Sequence, residues 1–286
     1  MIDDVTSPII LIGAARSGTK FLRDLLKTSE RVKAVPYDVN YIWRYGQSDF
    51  PHDRLDPNSA SPAIKKFIHK TLPKLAGQGT GDVLLEKTVS NSLRVPFIEA
   101  VYPNARYVHL LRDGRDVTES AMRLWTAPPN WNALFLKLRT LPLSNIGYVF
   151  WFAKNFLSGL SSNRQGGKVW GPRFEGVEEM AEAEPLAAVC AQQWKNSVEY
   201  ATEDLRRVPP ERVFEIRYED LISDEKALRE LAGFLQLSDT DKVVQAWRKN
   251  LRPTAPEQWK KLPDEDQAAL MEIITPTLRE RGYPVS

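Results

Sequence analysis

The sequence predicts an α/β fold in which a central, mainly parallel sheet is flanked by helices in a three-layer arrangement. Short apolar runs, typical of buried parallel strands, alternate along the chain with longer stretches whose apolar residues recur at helical spacing. The first such unit is the run Ile9–Ile12, a glycine-containing turn and an amphipathic stretch at 20–27. Strands that alternate with helices pair in parallel, because each helix carries the chain back across the sheet.

The later elements follow the same two patterns. Further strands are predicted at Val83–Glu86, Tyr107–Leu111 and Arg212–Ile216. Helices are predicted at Ala63–Leu75, Leu93–Val101, Asp113–Leu124, about 185–206, and near 224–236, 239–249 and 264–281. Pro96 is tolerated if it lies in the first turn of its helix. Residues 36–82 are otherwise expected to be irregular, because prolines and glycines recur there.

Composition limits the kinds of partner. The 286 residues, 42% hydrophobic and 27% charged, suit a folded globular chain, which we expect to form a single domain over 1–286. A net charge of +2 gives no reason to expect a nucleic-acid partner. One cysteine, Cys190, excludes an intrachain disulfide, and the three histidines do not have the spacing of a metal site. We expect no metal.

The N-terminal region lacks the features of a targeting or membrane segment. It has no basic stretch, and the apolar run Ile9–Ile12 is too short for a signal peptide or a membrane span. The apolar run 146–160 contains Lys154 and Asn155, which disfavour a span. We therefore expect a cytoplasmic protein, with a membrane-associated role through the middle of the chain as the alternative.

The first strand–loop–helix unit has the layout of a phosphate cradle. The loop reads Gly13-Ala14-Ala15-Arg16-Ser17-Gly18-Thr19-Lys20. Successive backbone N–H groups and a helix N-terminus attract an anion. Gly13 and Gly18 allow close approach of the backbone, and Arg16 and Lys20 add positive charge.

The loop departs from the nucleotide P-loop, whose motif ends in Gly-Lys-Ser/Thr so that the hydroxyl reaches Mg²⁺. Here the order is Gly18-Thr19-Lys20, and no aspartate at a predicted strand end is convincingly placed to hold a metal. We predict a P-loop-type fold. By itself, this loop is compatible with an ATP-dependent kinase, with another anionic nucleotide, or with a plain tight turn.

A second set of residues follows the strand Tyr107–Leu111. Arg112 stands at the carboxyl end of that strand, where α/β sheets bind ligands, and Ser120 lies two turns into the next helix. The planar guanidinium of arginine suits a phosphate, and a hydroxyl supplies another hydrogen bond. The alternative is a solvated turn with local ion pairs in Arg112–Asp116.

Together these segments resemble the sulfotransferases that use 3′-phosphoadenosine 5′-phosphosulfate (PAPS). Arg16-Ser17-Gly18-Thr19 looks like the family's 5′-phosphosulfate loop, in wording nearer to the carbohydrate and protein-tyrosine branches than to the small-phenol branch. Leu110–Val117 with Ser120 looks like the 3′-phosphate motif. The resemblance implies PAPS as co-substrate and adenosine 3′,5′-bisphosphate as product.

The resemblance also implies roles for single residues. Cofactor binding is expected from Arg16, Ser17, Gly18, Thr19, Lys20, Phe21, Arg112, Ser120, Tyr218 and Arg252. Tyr218 belongs to Arg217–Leu221, which is similar to a segment near the nucleotide, and Arg252 belongs to Lys249–Trp259, which is similar to the closing C-terminal loop. Arg16 and Lys87, in Glu86-Lys87-Thr88, are expected to stabilise the transferring group and the leaving oxygen.

The general base is left between several residues. The protein-tyrosine branch uses a carboxylate about one loop after the first helix, where Asp38 falls with the alignment shifted by about one residue. Asp38 is our candidate, with His52 or another residue as the alternative. His109 lies within an apolar strand and is predicted to be a core histidine. A sulfuryl group carries less charge than a phosphoryl group, so in-line transfer without a metal is expected.

The stretch at about 125–183 is rich in aromatic residues and matches nothing in the family pattern. We predict a helical insertion near the acceptor site, although packing of a helical subdomain explains most of these aromatics equally well. A saccharide or a hydroxylated small metabolite is the favoured acceptor. The competing functions are a P-loop kinase using ATP and Mg²⁺ and a non-catalytic nucleotide-binding protein.

Overall fold

A five-stranded parallel sheet organises the protein. The computed structural model describes residues 7–47, 49–126, 169–252 and 256–285. The strands are β1 (Ile9–Ile12), β2 (Val32–Ala34), β3 (Val83–Glu86), β4 (Arg106–Leu111) and β5 (Val213–Arg217). Their order is β2-β3-β1-β4-β5, and every neighbouring pair is parallel. The α/β class and the mainly parallel sheet are thereby confirmed.

Helices connect the strands and cover the sheet. They are α1 (Thr19–Leu26), α2 (Asn40–Trp43), α3 (Pro62–Ala76), α4 (Val95–Val101), α5 (Gly114–Trp125), α6 (Val177–Ala183), α7 (Leu186–Leu205), α8 (Tyr218–Ser223), α9 (Glu225–Phe234), α10 (Thr240–Asn250) and α11 (Asp264–Glu280). Single 3₁₀ turns lie at Pro57–Ser59, Val89–Leu93, Pro210–Arg212 and Gln258–Lys261. Pro96 lies in the first turn of α4, as expected.

Alternation along the strands produces two apolar layers. In β1, Ile10 and Ile12 pack with residues of α3 and α4, whereas Ile9 and Leu11 pack on the other face with α1, α9 and α10. A third cluster, around Trp194 of α7, joins α5 to α11 beside the carboxyl end of β4. The sheet therefore lies between two helical layers, with α5, α7 and α11 packed at one end.

Three short elements were not predicted. Strand β2 has three residues and includes Lys33, so it lacks an apolar run, and α2 has only four residues. The third is the six-residue helix α8, which directly follows β5. Helix α6 lies inside the stretch predicted as an aromatic-rich helical insertion; most of that stretch, 127–168, lies outside the described residues. Within the described part of the chain, no helix is both long and apolar enough to cross a membrane.

Candidate active site

A cavity of about 600 Å³ opens at the carboxyl ends of the strands. Because parallel strands all end at the same edge, the segments that follow the five strands converge there. The lining includes nine of the predicted site residues: Arg16, Gly18, Thr19, Lys20, Asp38, Lys87, Arg112, Ser120 and Tyr218. Residues up to 202 positions apart in the sequence, Arg16 and Tyr218, are thus neighbours of one cavity.

The loop between β1 and α1 is held in an unusual backbone conformation. Arg16 has a φ of 74° and Gly18 a φ of 93°, both in the left-handed region. A Cβ on Gly18 would lie 2.5 Å from Cδ2 of Tyr218, so the tyrosine ring packs directly on the bare backbone. No side chain caps the N-terminus of α1. Its first N–H groups are therefore available to an anion.

Arg16, Arg112 and Ser120 form one cluster. Nε of Arg16 donates to Oγ of Ser120 at 3.0 Å, and Nη1 of Arg112 donates to the carbonyl oxygen of Arg16 at 3.0 Å. The Arg112 guanidinium lies 4.3 Å from the centre of the Tyr218 ring, a cation–π distance. Two guanidinium groups, a hydroxyl and an aromatic face thus meet in the same part of the cavity.

Positive charge exceeds negative charge among the described lining residues. The cations are Arg16, Lys20, Lys87, Arg112 and Arg123, and the carboxylates are Asp38, Asp116 and Glu119. Partial desolvation and the neighbouring Arg112 and Arg123 lower the pKa of Arg16 from its ordinary value, although its side chain remains exposed within the open cavity. An anionic ligand would relieve this crowding of cations.

The loop that carries Arg112 is anchored from behind. Oε1 of the partly buried Glu219 accepts from the backbone N–H of Asp113 at 3.0 Å, and Nε1 of Trp194 donates to the carbonyl oxygen of Arg112 at 3.1 Å. Burial raises the pKa of the Glu219 carboxyl. Gly114 is required at the start of α5, because a Cβ there would lie 2.7 Å from the Trp194 indole. These contacts fix where Arg112 leaves the sheet.

Lys87 and Asp38 form an ion pair in the cavity. Nζ of Lys87 donates to Oδ1 of Asp38 at 2.7 Å; the Lys87 side chain is 8% exposed and that of Asp38 is 35% exposed. Among the described residues, no hydrogen bond reaches Oδ2 of Asp38 or uses the other two N–H groups of Lys87. The pair therefore keeps one acceptor and two donors for a ligand.

The segments that line this cavity match a known protein family. The model of the sulfotransferase family matches residues 8–142 and 173–241, more than half of the chain. The chain belongs to the sulfotransferase family. The match includes every cavity-lining segment named above as predicted, from the loop after β1 to Tyr218. The resemblance recognised in the sequence is confirmed at the level of the family and of an enzyme.

Solved sulfotransferases share this fold. Sulfotransferase STF9 from Mycobacterium avium matches with a TM-score of 0.59 at 14% identity, covering 98% of this chain and 78% of that one. The sulfotransferase domain from the curacin biosynthetic pathway gives 0.52 at 16%, covering 99% and 100%. Mouse sulfotransferase SULT7A1 complexed with PAP gives 0.50 at 14%, covering 96% and 84%. No curated protein sequence matches significantly.

Some predicted residues of this sulfotransferase do not line the cavity. Ser17 is 1% exposed and its backbone N–H closes a turn onto the carbonyl oxygen of Ala14. Phe21 packs against the apolar layer around α1, and Arg252 is exposed after α10. Their assignment to the cofactor stays a prediction. His52 does not line the cavity either; its ring lies 4.5 Å from that of Phe50.

His109 is a core residue, as predicted. It is 1% exposed, and its Nδ1 lies 3.2 Å from Oε2 of Glu215 on the adjacent strand. Contact with His109 lowers the pKa of the Glu215 carboxyl. This histidine therefore belongs to the interior of the sheet rather than to the cavity.

Several lining residues were not predicted individually. They are Ala15, Val89, Asp116, Glu119, Arg123, Leu124, Trp170 and Gln258. A signal existed for those on α5, because Asp116, Ser120 and Leu124 recur every four residues and share one helix face. Val89 and Gln258 come from other segments and gave no such signal. Among the described residues, no group of three or more histidine, cysteine or acidic side chains could hold a metal ion.

Proposed function

We propose that this sulfotransferase transfers the sulfuryl group of PAPS to an acceptor hydroxyl by in-line displacement without a metal ion. The observation that carries the proposal is the presence, in one cavity, of the Arg16–Ser120–Arg112 cluster and of the Lys87–Asp38 pair. The cluster suits binding of a phosphorylated donor. The pair suits proton transfer and the stabilisation of developing negative charge.

Two phosphate-binding regions of the cavity support PAPS as the donor. The uncapped N-terminus of α1 with Lys20 and Arg16 suits the 5′-phosphosulfate, whereas Arg112 and Ser120 suit a 3′-phosphate, which ATP lacks. The Tyr218 ring, packed between Gly18 and Arg112, suits a position against the nucleotide. Mouse SULT7A1, which shares the fold, is a complex with PAP, in accord with this donor.

The transfer step uses the remaining groups of the pair. The acceptor oxygen attacks sulfur, its proton passes to Oδ2 of Asp38, and the bond from sulfur to the bridging oxygen breaks, releasing adenosine 3′,5′-bisphosphate. The two remaining N–H groups of Lys87 and the Arg16 guanidinium stabilise the negative charge on the sulfuryl and bridging oxygens. Asp38 is the preferred base, because neither His52 nor His109 lines the cavity.

The acceptor is a saccharide or a hydroxylated small metabolite. Val89, Leu124 and Trp170 add apolar and aromatic surface to a charged cavity, and a flat indole face suits a sugar or an aromatic ring. Trp170 belongs to the stretch 125–183, which we propose contributes the acceptor side of one domain spanning 1–286.

Calorimetric titration tests the donor first. Adenosine 3′,5′-bisphosphate should bind at least tenfold more tightly than ATP with or without Mg²⁺, because ATP has no 3′-phosphate for Arg112 and Ser120. Tighter binding of ATP would overturn the proposal in favour of a kinase.

Transfer itself is measured with ³⁵S-labelled PAPS and EDTA against a panel of saccharides and hydroxylated metabolites. We expect labelled product from at least one acceptor, with turnover unchanged by EDTA. Binding of adenosine 3′,5′-bisphosphate without transfer to any acceptor would instead indicate a non-catalytic nucleotide-binding protein.

A further inference from the structure

A buried polar network lies directly behind the Lys87–Asp38 pair. Lys87 follows the last residue of β3, and Asp38 lies in the loop between β2 and α2, 49 positions earlier. The backbone N–H of Val39 donates to Oγ1 of Thr88 at 3.0 Å. Thr88 follows Lys87 and Val39 follows Asp38, so this buried hydrogen bond is a second link between the two segments that the ion pair joins.

Glu86 determines the direction of that link. The hydroxyl of Thr88 donates its only proton to Oε1 of Glu86 at 2.5 Å, so a lone pair of Oγ1 is left to accept from Val39. Nδ2 of Asn91 donates to the other carboxylate oxygen at 2.6 Å. Glu86 is completely buried, and burial raises the pKa of its carboxyl to about 7. An ionised Glu86 makes the bond from Thr88 charge-assisted.

The network also holds the residue after Val39. Asn40 donates through Nδ2 to Oδ1 of Asp53 at 2.9 Å and accepts through Oδ1 from Nη2 of Arg94 at 2.6 Å. Nε of Arg94 in turn donates to Oδ1 of Asn91 at 2.9 Å. Two successive residues after Asp38 are thus tied to one buried set of side chains that ends on Glu86.

We propose that Thr88, oriented by Glu86, is a positioning residue that holds Asp38 against Lys87 during sulfuryl transfer. The proposal rests on the proposed function. Thr88 does not line the cavity, and it acts through Val39 on the adjacent Asp38. Small displacements of a catalytic group are costly, so loss of this tie should slow the reaction while leaving the donor site intact.

The test replaces Thr88 by valine, which has the same shape and no hydroxyl. With the best acceptor from the panel, Thr88→Val should lower kcat at least tenfold, while the affinity for adenosine 3′,5′-bisphosphate stays within twofold. Thr88→Ser, which restores the hydroxyl, should recover kcat to within threefold of the wild type. Thr71→Val is the matched control, because among the residues that the structure describes the Thr71 hydroxyl bonds only within α3, to the carbonyl oxygen of Phe67.

A double-mutant cycle separates positioning from general support of the structure. In the Asp38→Asn background, Thr88→Val should lower kcat by less than a further twofold, because the group that it positions has already lost its function. Losses that multiply independently would overturn the proposal. If Thr88→Val does not fold, Glu86→Gln replaces it. Assayed at pH 8, where Glu86 is ionised, this neutral amide removes the charge that orients the hydroxyl; it should lower kcat severalfold with the same non-additivity.

The controls distinguish the two levels of failure. A wild-type protein that transfers no sulfuryl group from PAPS overturns the proposed function and this inference with it. An active wild type whose Thr88→Val and Glu86→Gln variants keep full kcat overturns the positioning role alone.

Discussion

The donor side of the cavity and the transfer side are built in opposite ways. On the donor side, Arg16 and Lys20 are exposed, and they lie within one continuous segment of eight residues, 13–20. On the transfer side, the Lys87 side chain is 8% exposed and meets a carboxylate 49 positions away, between segments joined by buried side chains. Recognition of the 5′-phosphosulfate therefore depends mainly on local backbone geometry, whereas alignment of the reacting groups depends on tertiary packing.

Removing the ammonium of Lys87 should produce the largest effect. We expect Lys87→Met to lower kcat by about 10²–10³-fold, the cost of removing one preorganised donor to a developing negative charge. The affinity for adenosine 3′,5′-bisphosphate should change less than threefold. The measurement is single-turnover transfer from ³⁵S-labelled PAPS, together with calorimetry.

Lys20→Met is the contrasting variant on the donor side. Lys20 is exposed in the first turn of α1, so its loss should weaken donor binding more than it lowers kcat. If Lys87→Met and Lys20→Met lower affinity and kcat equally, the proposed separation of donor binding from transfer is wrong.

The buried carboxyl of Glu86 predicts a pH dependence of stability. Desolvation is the main cause that raises its pKa from 4.5 to about 7, with Asp38 raising it further, while Thr88, Trp43 and Arg94 oppose the rise. Between these values the folded protein keeps a proton that the unfolded chain has released. The contribution of Glu86 to the free energy of unfolding therefore falls as pH rises from 4.5 to 7, by about 3 kcal/mol in total.

Glu86→Gln should remove this dependence. Urea unfolding of both proteins at pH 5 and pH 8 gives the measurement, and the difference between the proteins cancels the titration of every other group, including His52, whose pKa burial lowers. From pH 5 to pH 8, the free energy of unfolding of the variant should increase relative to that of the wild type. An identical pH dependence in both proteins would contradict the prediction.

The residues of the donor side are more predictable from the sequence than the contacts of the transfer side. Gly18 and Arg16 stand in a contiguous motif, and Arg112 precedes Ser120 by eight residues, so strand and helix periodicity alone brings them to one edge of the sheet. The four longest strands were predicted to within one residue at each end for the same reason. The three-residue β2 was missed, because it is too short and too polar to give a pattern.

The buried network could not be predicted. Glu86, Thr88 and Asn91 are close in sequence. Val39, which bonds to Thr88, and Asn40, which joins the network through Arg94, belong to a region where prolines and glycines predicted irregular structure. Polar residues in an irregular segment have no periodicity that distinguishes buried from solvated side chains. Only the three-dimensional structure shows that buried side chains hold the loop that carries Asp38.

Arg112 should determine selectivity for a nucleotide with a 3′-phosphate. We expect Arg112→Ala to reduce the preference for adenosine 3′,5′-bisphosphate over adenosine 5′-monophosphate by about tenfold to 100-fold, since a hydrogen bond to a charged group contributes about 1.5–3 kcal/mol. The ratio of the two dissociation constants, measured by calorimetry, isolates the 3′-phosphate.

Arg123→Ala serves as the control for general charge. Arg123 lines the same cavity, but its side chain is 67% exposed, and its Nε pairs with Oε1 of Glu119 at 2.9 Å. Its loss should weaken both nucleotides alike and leave the ratio unchanged. If Arg123→Ala alters the ratio of the two dissociation constants and Arg112→Ala does not, the 3′-phosphate binds beside Arg123 rather than beside Arg112.

Two glycines separate backbone strain from contact with the donor. Gly18 and Gly77 both have positive φ, 93° and 67°, so alanine at either position should destabilise the protein by about 1–2 kcal/mol. A Cβ at Gly77 meets nothing within 4 Å, whereas one at Gly18 would lie 2.5 Å from the Tyr218 ring. Gly18→Ala should therefore also displace that ring and weaken binding of adenosine 3′,5′-bisphosphate about tenfold, while Gly77→Ala leaves it unchanged. Thermal unfolding and calorimetry on both variants check the pair, and equal affinities would show that the bare backbone of Gly18 is not needed for the donor.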